Sequence, residues 1–156
     1  VLVFDPFLPN EKAAELGVLK TDLATIFSEC AVISNHLASN AQTIGILNKN
    51  CLDLMLPNAT FINTGRGAQV VEDDLIAALK AEPNRVALLD VTYPEPPEDS
   101  SELLRLPNVF LTPHIAGSMA NEFHRMAEFM YDEYALYDAG KTTRYGVTEK
   151  MLATMA

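Results

Sequence analysis

The chain has 156 residues, 49% of them hydrophobic, and its 21 acidic against 11 basic side chains give a formal net charge of −10. That is a one-domain length with enough apolar surface for a real core, without any apolar run near the roughly 18 residues of a membrane span. No basic stripe exists to neutralise nucleic-acid phosphates, so an anionic ligand must be captured by local groups and not by the field of the whole molecule.

Val1–Phe4 reads as a buried strand that ends at Asp5-Pro6. Pro9-Asn10 leads into a short helix over Glu11–Leu16, stopped by Gly17 at a C′ position. Val18-Leu19 is a brief strand, and Thr21 or Asp22 caps a second helix through Ser28. Ala31–Ser34 is the next apolar strand, opening into a polar loop over Asn35–Asn40. A helix over Asn48–Met55 and the turn Pro57-Asn58 lead to a strand at Thr60–Asn63 and its loop Thr64–Gly67. Glu72–Ala81 is amphipathic, with Leu75, Ile76 and Leu79 on one face and acids in its first turn.

Val86–Leu89 is a strand dense in aliphatic residues, and the proline-rich loop Val91–Asp99 after it is stiff and extended. Val109–Leu111 is the last strand. Ser118 is expected to cap a long helix to about Asp138, ended by Gly140, and a final short helix is expected over Thr148–Thr154. The Met and aromatic stripe of the long helix (Met119, Phe123, Met126, Met130, Tyr137) reads as core or interface. Short apolar strands alternating with helices indicate an α/β fold, a parallel sheet with helices on both faces.

Cys30 and Cys51 sit in an apolar run and a helical pattern, which reads as reduced core thiols in a cytoplasmic setting. The scattered histidines and cysteines form no metal pattern. In a parallel α/β sheet, ligands bind outside the carboxyl ends of the strands, and the polar residues worth weighing are those at strand ends. Asp5 ends the first strand, where a carboxylate accepts ribose hydroxyls or caps a turn; position alone leaves both open. Arg66 stands between two glycines, so backbone can approach a ligand while the guanidinium grips a carboxylate. His114 follows Thr112-Pro113, and an imidazole is the usual proton donor or acceptor near neutral pH. Glu95, placed beside it, would fix its orientation and favour its charged form. His36 begins a loop at a strand end and is a candidate to line a cofactor, whereas His124 reads as helix surface.

The ordered motifs Phe4-Asp5-Pro6, Ile62-Asn63-Thr64-Gly65-Arg66-Gly67, Leu89-Asp90-Val91 with Glu95-Pro96, and Leu111-Thr112-Pro113-His114-Ile115-Ala116-Gly117 resemble the NAD-dependent D-2-hydroxyacid dehydrogenases. The resemblance implies a Rossmann-like, doubly wound parallel sheet, with residues 1–140 as part of the NAD-binding domain and 141–156 as a tail returning to a substrate domain. It implies that Arg66 binds the substrate carboxylate and polarises the 2-keto group. His114 would be the acid/base, and Glu95 would pair with it and keep it protonated for reduction. It further implies that Asp5 and Pro6 meet the adenosine ribose and favour NAD over NADP. Asp90 would sit near the nicotinamide carboxamide, and His36, Leu37, Ala38, Thr43, Thr64, Gly65, Arg66, His114 and Gly117 would line the cofactor.

Departures from the family pattern carry expectations of their own. The family's Gly-x-Gly-x-x-Gly turn and the strand before it are absent from this sequence, as is its substrate-binding domain. His36-Leu37-Ala38 stands where the family commonly has His-x-Pro, which removes a ring that stiffens a turn. In the strand order 3-2-1-4-5-6 the absent strand lies between those beginning at Val1 and Ala31. Both would then have unpaired edges, so these residues are expected to self-associate or to depend on an upstream segment, with a homodimer as the family's usual state. The implied activity is that of a longer parent protein acting on a small 2-hydroxy or 2-keto acid, and weak or no activity is expected of these residues alone. A non-catalytic NAD-binding corepressor or sensor, or a vestigial assembly domain, are the alternatives.

Overall fold

A computed structural model describes residues 1–152. Every strand pair in it is parallel. β1 (Leu2–Val3) pairs with β2 (Leu19–Lys20) in a small sheet of its own, and the helix between them, α1 (Asn10–Glu15), ends where Gly17 takes a φ of 68°. α2 (Leu23–Glu29) starts at Asp22, whose carboxylate accepts the Thr25 N–H at 2.7 Å, so of the two expected caps Asp22 is the one used.

The larger sheet runs β3 (Val32–Asn35), β4 (Thr60–Asn63), β5 (Val86–Leu89) and β6 (Val109–Leu111), in that order. Its crossovers carry α3 (Lys49–Leu52) and α4 (Glu72–Ala81), which pack on one another, while α2 packs on α3. Strand alternation decides which side faces them. Ile33, Phe61, Ala87 and Leu89 share the buried side with Phe27, Leu52, Leu75 and Leu79 of the helices. The Phe27 and Phe61 rings meet there with centroids 6.2 Å apart. Burying either ring stabilises the fold by about 2–3 kcal/mol. The opposite side of the sheet, with Val32, Leu88 and Phe110, is exposed among the described residues, so the helical layer expected on both faces is seen on one.

β1 and β3 share no hydrogen bond, and the two sheets are separate, as the strand order anticipates. The outer edge of β3 has no strand partner among the described residues.

Several elements are shorter than the sequence suggests: β1 is Leu2–Val3 instead of Val1–Phe4, and α3 stops at Leu52 instead of Met55. Ser118 does not cap the long helix. α5 (Asn121–Asp138) starts at Ala120, whose φ is 49° and whose side chain accepts nothing. Its apolar stripe is not core: Met119, Phe123, Met126, Met130 and Tyr137 are all exposed. Periodicity registers one apolar face but not whether anything covers it. The chain after α5 folds back on it, where the buried Glu133 carboxylate accepts the N–H groups of Arg144 and Tyr145 at 3.1 and 2.9 Å. α6 (Glu149–Leu152) occupies part of the expected Thr148–Thr154 helix, whose last residues lie outside those described.

Candidate active site

The loops leaving the carboxyl ends of β3, β4, β5 and β6 hold Leu37 and Ala38, Arg66, Glu95, and His114 respectively. Each loop is fixed by a different local device.

Arg66 is exposed in a chain rich in acids, yet among the described residues no carboxylate pairs with it. Its Nη1 donates to the neighbouring Gly65 carbonyl at 2.8 Å, leaving the rest of the guanidinium facing outward. Gly67, the next residue, lies so close to the loop after β5 that a Cβ placed there would come within 2.0 Å of the Thr92 carbonyl carbon and oxygen. Only glycine permits that approach. It brings the loop bearing Arg66 against the loop bearing Glu95.

Glu95 Oε1 lies 2.6 Å from His114 Nδ1. This bond leaves Nε2 of His114 without a protein partner among the described residues, so the ring has one fixed and one available nitrogen. His114 has a φ of 55°, a left-handed conformation that costs about 1–3 kcal/mol in a non-glycine residue. Asp90 holds it there. The His114 N–H donates to the Asp90 carbonyl at 3.0 Å, and the Asp90 carboxylate accepts the N–H groups of Ile115 and Ala116, both at 2.8 Å, and the Thr112 hydroxyl. Burial pushes the Asp90 carboxyl up, but the donors Thr112, Ala116 and Ile115 and the nearby His114 outweigh it and hold the group below the usual carboxylate range. Asp90 is thus engaged with the backbone after His114, a role that its position at the end of β5 did not disclose.

On the β3 side, His36 Nε2 lies 2.8 Å from Ser34 Oγ, and the ring is exposed. Thr43 donates its hydroxyl to the Ala38 carbonyl at 2.7 Å. The turn at Leu37-Ala38 lacks a proline but is tied by side-chain hydrogen bonds: Asn35 Oδ1 accepts the Leu37 N–H at 3.2 Å, and Gln69 Nε2 donates to the Leu37 and Ala38 carbonyls at 2.7 and 3.1 Å. Gln69 and Asn35 were missed in the sequence; the one available signal was a polar side chain set among apolar neighbours in Ala68-Gln69-Val70-Val71.

Asp5 follows β1 of the smaller sheet, and its carboxylate accepts the Phe7 N–H at 2.8 Å. The turn-capping reading is therefore realised, and the acceptor capacity left on the carboxylate keeps the ribose reading open. Pro6 is exposed beside it. Thr64 is exposed and Gly65 half-buried on the Arg66 loop, and Gly117 lies in open space past His114. His124 is on the surface of α5, and no cluster of metal-ligating side chains occurs among the described residues.

Residues 1–116 match the family model for the D-isomer specific 2-hydroxyacid dehydrogenase, NAD binding domain. The chain belongs to this family. It is 39% identical over 118 residues to the D-3-phosphoglycerate dehydrogenase of Archaeoglobus fulgidus, a match that covers 76% of the chain and 22% of that protein. Among solved structures, D-lactate dehydrogenase with NAD+ from Lactobacillus jensenii superimposes with a TM-score of 0.80 at 25% identity, over 96% of this chain and 48% of that one. The NAD complex of a D-isomer specific 2-hydroxyacid dehydrogenase from Lactobacillus delbrueckii ssp. bulgaricus gives 0.81 at 26% identity, covering 95% of this chain and 48% of that one. The chain thus spans under half the length of these relatives, the part that corresponds to the NAD-binding domain of the family.

The residues present suit a nicotinamide dinucleotide at the strand ends. The rim offers an exposed cation without a carboxylate partner and an imidazole with one available nitrogen, both among the described residues, and a tight turn at Leu37-Ala38. No described helix is long and apolar enough to cross a membrane.

Proposed function

We propose that this chain is the nucleotide-binding part of an NAD-dependent oxidoreductase that interconverts a small D-2-hydroxy acid and its 2-keto acid. The observation that carries the reading is the Glu95–His114 pair, held on the same rim as an arginine that has no carboxylate partner among the described residues. Bound NADH supplies the hydride for C2 of the keto acid, or NAD+ accepts it in the reverse direction. Arg66 grips the substrate carboxylate in bidentate fashion and polarises the 2-keto oxygen. His114 Nε2 delivers a proton to that oxygen during reduction and takes it back during oxidation. Glu95, bonded to Nδ1, fixes the tautomer and the orientation of the ring.

On this reading Asp5 and Pro6 meet the adenosine ribose, and the Asp5 charge disfavours a 2′-phosphate. His36, Leu37, Ala38, Thr43, Thr64, Gly65 and Gly117 border the cofactor. Asp90 acts through the loop carrying His114 and so beside the nicotinamide. Residues 1–140 form the nucleotide unit, and 141–156 lead back to a substrate domain that completes the cleft. The setting is cytoplasmic, in keeping with two free cysteines. The open edge of β3 would pair with further sequence of the parent protein or with a second copy, and the long helix α5 would serve a homodimer.

The test uses the full-length protein. NADH oxidation should follow addition of one of a panel of 2-keto acids such as glyoxylate, hydroxypyruvate or pyruvate. The His114→Ala variant should still bind NADH and lose turnover by at least about 100-fold. NADH binding without turnover of any 2-keto or 2-hydroxy acid would overturn the catalytic reading in favour of a sensor.

A further inference from the structure

Behind the rim lies a buried polar network that the proposed chemistry does not itself require. Asn35, Asn63 and Gln69 are 5%, 1% and 1% exposed, the first two at the ends of β3 and β4 on the otherwise apolar side of the sheet and the third in the helical turn after Arg66. The amide of Gln69 is its junction. Oε1 accepts Asn35 Nδ2 at 2.6 Å and the Arg66 N–H at 3.3 Å, and Nε2 donates to the carbonyls of Leu37 and Ala38. An amide has two donors and two acceptor sites, so this one is saturated. Asn63 completes the arrangement: its Nδ2 donates to the Arg66 carbonyl at 3.2 Å, and its Oδ1 accepts Asn35 Nδ2 at 3.0 Å and the Gly65 N–H at 3.1 Å. Both polar atoms of the Arg66 main chain are therefore held by this network, and the same Gln69 amide holds the turn after β3.

A buried polar group left unpaired is costly, and a fully satisfied network is correspondingly rigid and specific. Gly65 fits the same purpose: a Cβ there would meet Asn35 Nδ2 and Gln69 Oε1 at 3.0 Å each, so the loop lies directly on the two amides. Nearby apolar side chains would have sufficed for a core. This one instead joins two ligand-facing loops through a single side chain.

We propose that Gln69, with Asn35 and Asn63, is a positioning residue that locks the Leu37–Ala38 turn and the Arg66 loop in one register, so that cofactor and substrate carboxylate are aligned by the same amide. The proposal rests on the dehydrogenase reading above. It holds that loss of the amide loosens two binding sites together, although Gln69 touches neither ligand.

The experiment compares full-length wild type with Gln69→Met and with the double variant Asn35→Leu/Gln69→Leu, which removes the Asn35–Gln69 bond from both sides and releases the Leu37 and Arg66 N–H groups that the two side chains hold. NADH affinity is read from its fluorescence, and KM and kcat for the keto acid from turnover. In both variants the NADH Kd and the keto-acid KM should rise together by about tenfold, with kcat falling less than either constant rises. A fall in thermal midpoint with both constants unchanged would reduce the network to a structural role and overturn the proposal. So would a rise in only one of the two, which would make Gln69 a local support of a single loop. If wild type itself turns over no 2-keto acid, the dehydrogenase reading falls and this proposal with it; wild-type turnover with insensitive variants sinks the proposal alone.

Discussion

Gly67 lies against the backbone of Thr92 so closely that a methyl group in place of its hydrogen would come within 2.0 Å of the Thr92 carbonyl. Backbone cannot yield as a flexible side-chain end can, so the two loops would have to part. Gly67→Ala should therefore displace the loop of Glu95 from that of Arg66 and lower kcat/KM of the full-length protein by at least about 100-fold. Steady-state kinetics of the variant decide it, and an unchanged kcat/KM would mean the two loops need not be in register.

Asp90 leads to a pH dependence whose sign follows from its hydrogen bonds. Its carboxyl is held below the usual range, so it contributes stability that is fully present above the unfolded carboxyl pKa of about 3.9. That contribution fades as pH falls from there through the lowered folded value. Asp90→Asn puts a donor amide opposite the N–H groups of Ile115 and Ala116, or leaves one of them unpaired. The variant should lose turnover, and its stability should depend less steeply on pH between about 5 and 2. Urea unfolding of both proteins across that range measures the difference in slope.

Arg85 is a buried cation with no carboxylate partner among the described residues. Its guanidinium donates to the carbonyls of Met55, Asp53, Leu56 and Ala78, the last at 3.1 Å, and so ties the end of α3 and the turn after it to α4. Arg85→Met fills much of the same space but orphans those carbonyls. It should destabilise the protein by about 2–4 kcal/mol while leaving the rim intact. The urea midpoint reports the first expectation, and NADH affinity of the folded variant the second.

Cys51 and Cys30 should differ in reactivity. Burial raises the Cys51 thiol above its ordinary range despite its backbone hydrogen bonds, and its Sγ donates to the Asn48 carbonyl at 3.2 Å. Cys30, at the end of α2, is only partly buried. Iodoacetamide at pH 8 should label Cys30 first and reach Cys51 only on unfolding, as mass spectrometry of timed samples would reveal. Labelling of Cys51 at the same rate would mean that the α3 region opens readily.

Strands and helices in β4, α4, β5 and β6 were legible because their apolar period matches their geometry. The rim residues Arg66, Glu95 and His114 were legible too, since a parallel sheet sends the loops after its strands to one edge. The start of α5 was not: Ser118 has the chemistry of a cap, but the chain after His114 runs on to Ala120 before turning into helix. Exposure of the α5 stripe was equally hidden, because an apolar face looks the same in sequence whether or not it is covered.

The sequence by itself therefore determined the order of elements and which side chains lie at the strand ends, both of which follow from local pattern, while the family rested on the resemblance of its ordered motifs. The Glu95–His114 pair was implied by the family resemblance, and the two groups meet at 2.6 Å. Tertiary structure alone decided the other meetings: Asn35 reaches Gln69 across 34 positions, and the Asp90 carboxylate turns to the backbone after His114. Such pairs depend on loop paths and side-chain directions fixed only when the sheet assembles, and residue spacing carries no record of them.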